Sequence, residues 1–251
     1  MLMRNANKLL SLFNLKVSPA GQDRHFVPGK ARKRYWMEFY SIKRSTGEFV
    51  FKSYKDDSGP HPIPYQDFEC SFAARHIAPL PSDAAVLDVG SYRQFILGAQ
   101  TLRKIVTLDI RDREPATGNE SVVTGEATMI GFPAGHFDCV VSLSSIEHFG
   151  LGRYGDAFDP MADVKAVNEM CRVLKPGGLA VISTTIHKGR PSVAFNAHRI
   201  YNYSSIRGML GGMGAVEEQV FSKGTGRQIS YDQMTDSKYL WDIYCGCWRK
   251  R

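Results

Sequence analysis

Apolar positions along this chain follow two periods, and the changes from one to the other outline its architecture. Leu2, Leu9, Leu10, Leu12, Phe13 and Leu15, with Arg4, Lys8 and Lys16 between them, predict a short amphipathic helix. Over residues 34–55, "RYWMEFYSIKRSTGEFVFKSYK" clusters aromatic and β-branched residues around Ser45-Thr46-Gly47, which predicts a β-hairpin. The linker "DDSGPHPIP" follows and sets a boundary near Pro60, between an extension of residues 1–60 and a main domain of residues 61–251. Beyond it, Phe68, Phe72 and Ile77 mark a leading helix. Short apolar runs then predict strands at residues 85–89, 104–110, 121–124 and 137–143. A helix over residues 160–174 buries Met161, Val164, Val167, Cys171 and Leu174, with Asp159 as its cap and Pro160 at its first position. Lys175-Pro-Gly-Gly ends it, and "LAVISTTI" returns as a fifth strand. A further helix beginning at Ser204 and strands near residues 215–221 and 239–248 complete the pattern. Such alternation predicts an α/β fold with a mostly parallel sheet covered by helices on both faces.

Composition narrows the setting. At 251 residues with 43% hydrophobic content, one substantial core is affordable, and no apolar run is long enough to cross a bilayer. Five scattered cysteines lack the paired spacing of zinc sites or disulfide frameworks, so free thiols in a reducing cytoplasm are expected. The net charge of +7 lies wholly in residues 1–60, which hold 12 Lys+Arg against 5 Asp+Glu. A basic segment of this kind attracts anionic lipid headgroups, acidic substrates or nucleic acid, and peripheral contact with the inner face of a membrane is one expectation.

In a parallel sheet the ligand sits at the carboxyl ends of the strands, so the loops there carry the chemistry. After the first strand, Asp88-Val-Gly90 combines a carboxylate that can orient the loop with a glycine that permits a tight turn. Asp109, at the end of the second strand, suits the two hydroxyls of a ribose. Glu126 and Ala127, after the third, can meet an adenine edge through a carboxylate and a backbone N–H.

These pieces, "VLDVG", "LDI", "GEA…FPAGHFDCVVSLSSIEH" and "RVLKPGG", resemble in order and spacing the class I S-adenosylmethionine-dependent methyltransferases over residues 85–185. The resemblance implies a Rossmann-like, seven-stranded sheet with its last strand antiparallel, and S-adenosyl-L-methionine as cofactor. It places Asp88, Gly90 and the backbone of Ser91 and Tyr92 at the methionine part, Asp109 and Ile110 at the ribose, Glu126 and Ala127 at the adenine, and Ser144 at the end of the fourth strand. One departure stands out: the family's further glycines are replaced here by Tyr92 and Gln94. Tyr92 either turns away from the cofactor or obstructs it.

The fourth loop, "SSIEHFGLGRYGDAFDPMAD" over residues 144–163, is longer and more polar than a strand-to-helix link needs. With "FNAHRIY" at residues 195–201 it resembles a methyltransferase-like subgroup associated with cell-surface polysaccharide synthesis, which implies a sugar hydroxyl of a glycan precursor, anionic or lipid-linked, as acceptor. A hydroxyl needs a base during attack; His148 is the first candidate and His198 the second. Alternatively, His148 caps the strand and orients Glu147. Arg153, Tyr154, Asp156, Asn196 and Arg199 are candidate acceptor ligands. Asp156, Asp159 and Asp163 could join His148 around a divalent metal, but the capping role of Asp159 and the helical position of Asp163 argue against it, and no metal is expected. Three competing readings remain. A non-catalytic scaffold fits the altered glycine loop. A nicotinamide oxidoreductase would need G-x-G-x-x-G, which "GSYRQF" does not supply. A nucleic-acid methyltransferase fits the basic N-terminus but not the "SLSSIEH" ending of the fourth strand.

Overall fold

The computed structural model describes residues 27–45, 49, 63–237 and 239–251. The chain divides into two units, Met1–His61 and Pro62–Arg251. In the first, helix α1 (Arg32–Ser45) replaces the leading half of the predicted hairpin. Tyr35, Trp36, Phe39 and Tyr40 recur at helical spacing and contact one another ring to ring, while Arg34 pairs with Glu38 one turn on. A shared face with period 3.6 thus overrides the strand preference of its aromatic residues. Apart from Phe49, the rest of that hairpin, and the helix predicted from Leu2 to Lys16, lie outside the described residues.

The second unit opens with α2 (Tyr65–Ile77), β1 (Val86–Val89), α3 (Arg93–Ala99), β2 (Ile105–Asp109), β3 (Glu120–Thr124) and β4 (Phe137–Leu143). Helix α4 (Ala162–Val173), β5 (Leu174–Ile186), β6 (Ser192–Ala194), β7 (His198–Ile200) and α5 (Tyr203–Leu210) follow. The chain ends with β8 (Met213–Ser222), β9 (Arg227–Ile229) and β10 (Asp242–Lys250). The sheet runs β3-β2-β1-β4-β5-β10-β8-β9. Strands β1 to β5 are parallel; β10 enters antiparallel between β5 and β8, pairing Asp242 with Ile186 and Arg249 with Leu179. This is the Rossmann-like arrangement, with the reversal of strand order at the β1/β4 junction. The predicted seven strands become eight because Arg227–Ile229 folds back on the edge strand β8.

Alternation along the central strands builds a core on each face. Leu87, Val89, Val140 and Ala180 pack with Ala166, Val167 and Met170 of α4. Val86, Cys139, Val141 and Val181 pack with Phe72, Ala73 and Ile77 of α2 and Ile96 of α3. Helix α4 starts at Ala162, two residues later than predicted, and its N-cap is Met161, with no side-chain cap; Asp159 accepts from the Met161 N–H at 2.9 Å, outside the helix. Lys175-Pro-Gly-Gly does not separate helix from strand. The backbone is already extended at Leu174, and Gly177, with φ +80°, lies within β5. Residues 192–200 form the β6–β7 hairpin. All five cysteines are free. Among the described residues no helix is long and apolar enough to cross a membrane.

Candidate functional site

A cleft opens at the carboxyl ends of β1 to β4, where the strand order reverses. Of the predicted residues it gathers Gly90, Asp109, Ile110, Glu126, Ala127, Ser144, His148, Tyr154 and Asp156 on its wall. Asp88, Ser91, Tyr92, Arg153, Asn196, His198 and Arg199 are not on that wall.

The turn after β1 explains the absence of three of them. Gly90 takes φ +68°, and a Cβ there would overlap Ser145 Oγ. Asp88 is buried beneath the turn and accepts from Ser91 N–H at 3.1 Å; burial pushes its carboxyl up to about 7. Of the two residues that replace the glycines, Gln94 is exposed, while Tyr92 and its neighbours Ser91 and Arg93 are committed to the scaffold. Ser91 Oγ accepts from Leu143 N–H at 3.0 Å, Arg93 forms a two-pronged pair with Glu120 of β3, and Tyr92 OH donates to Glu69 Oε2 at 2.7 Å. Glu69 lies fully buried on α2, where its other oxygen also accepts from Ser144 Oγ and from Ser183 Oγ, the latter at 2.7 Å. Burial raises both the Glu69 carboxyl and, together with the nearby Glu69 charge, the Tyr92 phenol. Tyr92 therefore turns toward α2 and away from the cleft. Ser144, whose hydroxyl completes the same cluster, has φ +46°, a conformation seldom adopted by residues other than glycine.

Asp109 stands at the cleft floor, yet its carboxylate is already engaged. Arg111 donates to it from its backbone N–H (2.9 Å), Nε (3.1 Å) and Nη2 (3.0 Å), and Arg113 adds an ion pair. Burial opposes ionisation, but the arginine bonds outweigh it and hold this carboxyl below its usual range. Arg111 also lies over the Tyr154 ring, 5.0 Å from its centroid, and so connects the β2 end to the fourth loop. Glu126 accepts from Thr128 Oγ1 at 3.2 Å.

His148 occupies a one-turn 3-10 helix, Ile146–His148. Its Nδ1 lies 2.6 Å from Ala197 O in the β6–β7 turn. A carbonyl only accepts, so Nδ1 carries the proton and Nε2 keeps its lone pair. Burial, with the Arg153 charge adding to it, pushes the imidazole below its ordinary value, so it is neutral at pH 7. Glu147 is held by Thr184 Oγ1 at 2.9 Å instead of by His148, and burial raises its carboxyl to about 8.

The aspartates considered for a metal do not converge. Asp156 accepts from Gly152 N–H and Tyr154 N–H, Asp159 binds Met161 N–H and Lys165, and Asp163 accepts from Tyr201 OH at 2.8 Å. Arg199 braces the fourth loop: buried, it donates to Phe149 O and Pro160 O and pairs with Asp163 at 3.3 Å. Asn196, with φ +56°, forms the exposed turn between β6 and β7. His198 packs against Trp241 and His148, with centroids 5.7 and 6.2 Å away. Sequence reasoning missed Glu69, Ser145, Ser183, Arg111 and Trp241. Only Glu69 left a trace, as an acidic residue between Phe68 and Phe72 on the buried stripe of α2.

Residues 121–240 match the family model described as "Caenorhabditis protein of unknown function, DUF268". No curated protein matches the chain. Among solved structures the fold is similar to that of the [4+2]-cyclase SpnF: TM-score 0.56 and 14% identity, over 89% of this chain and 95% of that one. It is similar also to the 1,6-didemethyltoxoflavin-N1-methyltransferase of Burkholderia thailandensis, solved with S-adenosylhomocysteine, at TM-score 0.54 and 14% identity, covering 91% and 92%. The N-methyltransferase NodS of Bradyrhizobium japonicum WM9, likewise in complex with S-adenosylhomocysteine, gives TM-score 0.51 and 14% identity over 84% and 97%. The shared feature is the fold of class I methyltransferases.

Proposed function

We propose that this protein is an S-adenosylmethionine-dependent methyltransferase that methylates a hydroxyl, with His148 as general base. The observation that carries the reading is the convergence in one cleft of Gly90, two carboxylates at ribose- and adenine-type positions (Asp109 and Glu126), and a neutral imidazole with a free Nε2. That donor set fits the cofactor: carboxylates accept from hydroxyls and an exocyclic amine, and the Gly90 turn brings backbone close. Similar folds solved with S-adenosylhomocysteine add support. When bound, S-adenosylmethionine supplies an electrophilic methyl group.

The chain's own contribution is alignment and proton transfer. Ala197 O fixes the tautomer of His148, leaving Nε2 to take the proton from the attacking hydroxyl. Asp109 can receive ribose hydroxyls once Arg111 and Arg113 release it. The long glycine-bearing loop that resembles a polysaccharide-linked subgroup supports a sugar hydroxyl as acceptor. Calorimetric titration with S-adenosylhomocysteine tests the reading: wild-type protein binds, Asp109→Ala binds much more weakly, and His148→Ala binds normally but does not turn over. No binding by folded wild-type protein would exclude the enzyme.

One observation favours a second reading, in which the fold serves without methyl transfer. The Asp109 carboxylate is filled by Arg111 and Arg113. The same titration separates the two, because a cofactor-free scaffold shows no heat of binding.

A further inference from the structure

From the cleft a row of rings leads outward along one edge of the site. Tyr154 meets His148 at 5.7 Å between centroids, His148 meets His198 at 6.2 Å, His198 meets Trp241 at 5.7 Å, and Trp241 meets Tyr65 at 5.4 Å. Four separate segments of the chain supply these rings, so the row is made by the tertiary fold.

Besides Arg111, which lies over Tyr154 and is paired with Asp109, two cations sit on this row. Arg153 lies over Tyr154 at 5.1 Å and donates to Ala197 O at 3.3 Å; Lys223 Nζ lies 3.7 Å from the Trp241 centroid and 5.8 Å from that of Tyr65. Both are exposed, and among the described residues neither has a carboxylate within ion-pair distance. Nearby acids are engaged elsewhere. Asp242 accepts from the backbone N–H groups of Lys223 and Thr235, Asp156 from the turn at Gly152, and Glu69 and Glu147 are buried with hydroxyl partners. Arg153 and Lys223 both act on His198, adding to burial in pressing its imidazole toward the neutral form. Two positive charges brought to one uncharged ring, without a counter-charge, make a local surplus that an anion relieves.

We propose that Arg153 and Lys223 form, around His198, a docking site for an oxyanion carried by the acceptor, a phosphate or a carboxylate. The Trp241 and Tyr65 rings beside it take the acceptor's apolar ring face. The inference rests on the reading of His148 as the base. The 6.2 Å between the two imidazoles is short enough for one six-membered ring to hold its oxyanion at His198 and present a hydroxyl at His148. The arginine can engage either oxyanion through two parallel N–H groups, and the lysine acts as a point charge.

The test follows the imidazole signals of His198 and His148 by long-range proton–nitrogen NMR in the full chain. Inorganic phosphate, and separately acetate, are added at constant ionic strength against a chloride control. At least one oxyanion should shift the His198 signals saturably and raise the pH at which that ring titrates; the stronger of the two identifies the acceptor's acidic group. Lys223→Gln, which keeps the stem on Trp241, and Arg153→Gln should each weaken this by at least about 5-fold, with S-adenosylhomocysteine affinity unchanged in Lys223→Gln. The proposal is overturned if neither oxyanion moves His198 more than chloride does, or if the variants respond like the wild type. Because cofactor binding is measured separately, failure of the methyltransferase reading leaves a distinct signature: oxyanion binding without S-adenosylhomocysteine binding.

Discussion

If Glu69 is what keeps Tyr92 out of the cleft, then disturbing either residue should have a defined energetic and functional consequence. Glu69 Oε2 has Tyr92 OH as its side-chain donor, at 2.7 Å, while Oε1 takes Ser144 and Ser183. Tyr92→Phe strands one buried acceptor, which costs about 1–3 kcal/mol. For a domain of this size that is a fall of roughly 4–8 °C in melting temperature for a 2 kcal/mol loss. Glu69→Ala strands three hydroxyls and leaves a cavity, so about 3–5 kcal/mol is expected. The functional effect separates the two variants. In Tyr92→Phe the ring stays packed with the α2-side core, so S-adenosylhomocysteine affinity holds. In Glu69→Ala the freed ring can swing toward Gly90, and affinity falls. Adding Tyr92→Gly to Glu69→Ala should restore binding, a coupling on the order of 1–3 kcal/mol in a double-mutant cycle read by calorimetry. Additive effects, or Glu69→Ala binding as tightly as wild type, would refute the lock.

Other consequences concern charge. Asp88 and Glu147 have folded values raised by burial to about 7 and about 8, so the folded state binds more protons than the unfolded state above pH 4. Their stabilisation is complete below their ordinary values and is lost as pH rises through 7 and 8. It amounts to on the order of 4 kcal/mol between pH 6 and 9, at roughly 1.4 kcal/mol per proton per pH unit. Denaturant midpoints should fall over that interval, and less steeply in Glu147→Gln; midpoints that stay level or rise would contradict the assignment. Arg111→Ala removes one of the two arginines that compete for Asp109, so S-adenosylhomocysteine should bind roughly 3- to 10-fold more tightly, whereas weaker binding would make Arg111 a contact of the cofactor itself. Arg199→Met leaves Asp163 without its buried partner and should cost about 3–5 kcal/mol by denaturation, much more than loss of an acceptor contact alone.

The parts of the fold that were legible in the sequence are those whose neighbours are interchangeable. Strand β4, buried at all but Asp138, appears at its predicted residues. Helix α4 begins within two positions of its predicted start but buries Ala162, Ala166, Val167, Met170 and Val173 in place of the predicted stripe, of which only Val167 is buried within the helix. Helix α1 was misread because its aromatic residues have strand propensity, although Tyr35, Trp36, Phe39 and Tyr40 also share a helical face. The three-residue strands β6, β7 and β9 lack enough residues to show any period. In the site, polar residues at strand ends were legible by position, since topology alone brings Asp109, Glu126 and His148 to one edge. Their partners were not. That Arg199 turns back on Asp163, or Arg111 on Asp109, depends on loop geometry that no local pattern encodes.

Tyr92 makes the distinction concrete. Judged by its neighbours in the chain it occupies a glycine's place, and a ring at that place is in conflict with a ligand. The conflict is resolved 23 residues upstream, by a carboxylate that would itself be a costly burial without a hydroxyl from Tyr92. Each residue is unfavourable alone and compatible in the presence of the other. The same carboxylate reaches Ser144 and Ser183, at the ends of β4 and within β5, so the leading helix, the altered turn and the rim of the cleft are held as one unit. A glycine-rich turn derives its shape from backbone freedom; this one derives it from side chains bonded to the scaffold. A cofactor that needs the turn to adjust would meet a stiffer loop here, with Arg111 bonded to Asp109 and lying over Tyr154 beside it.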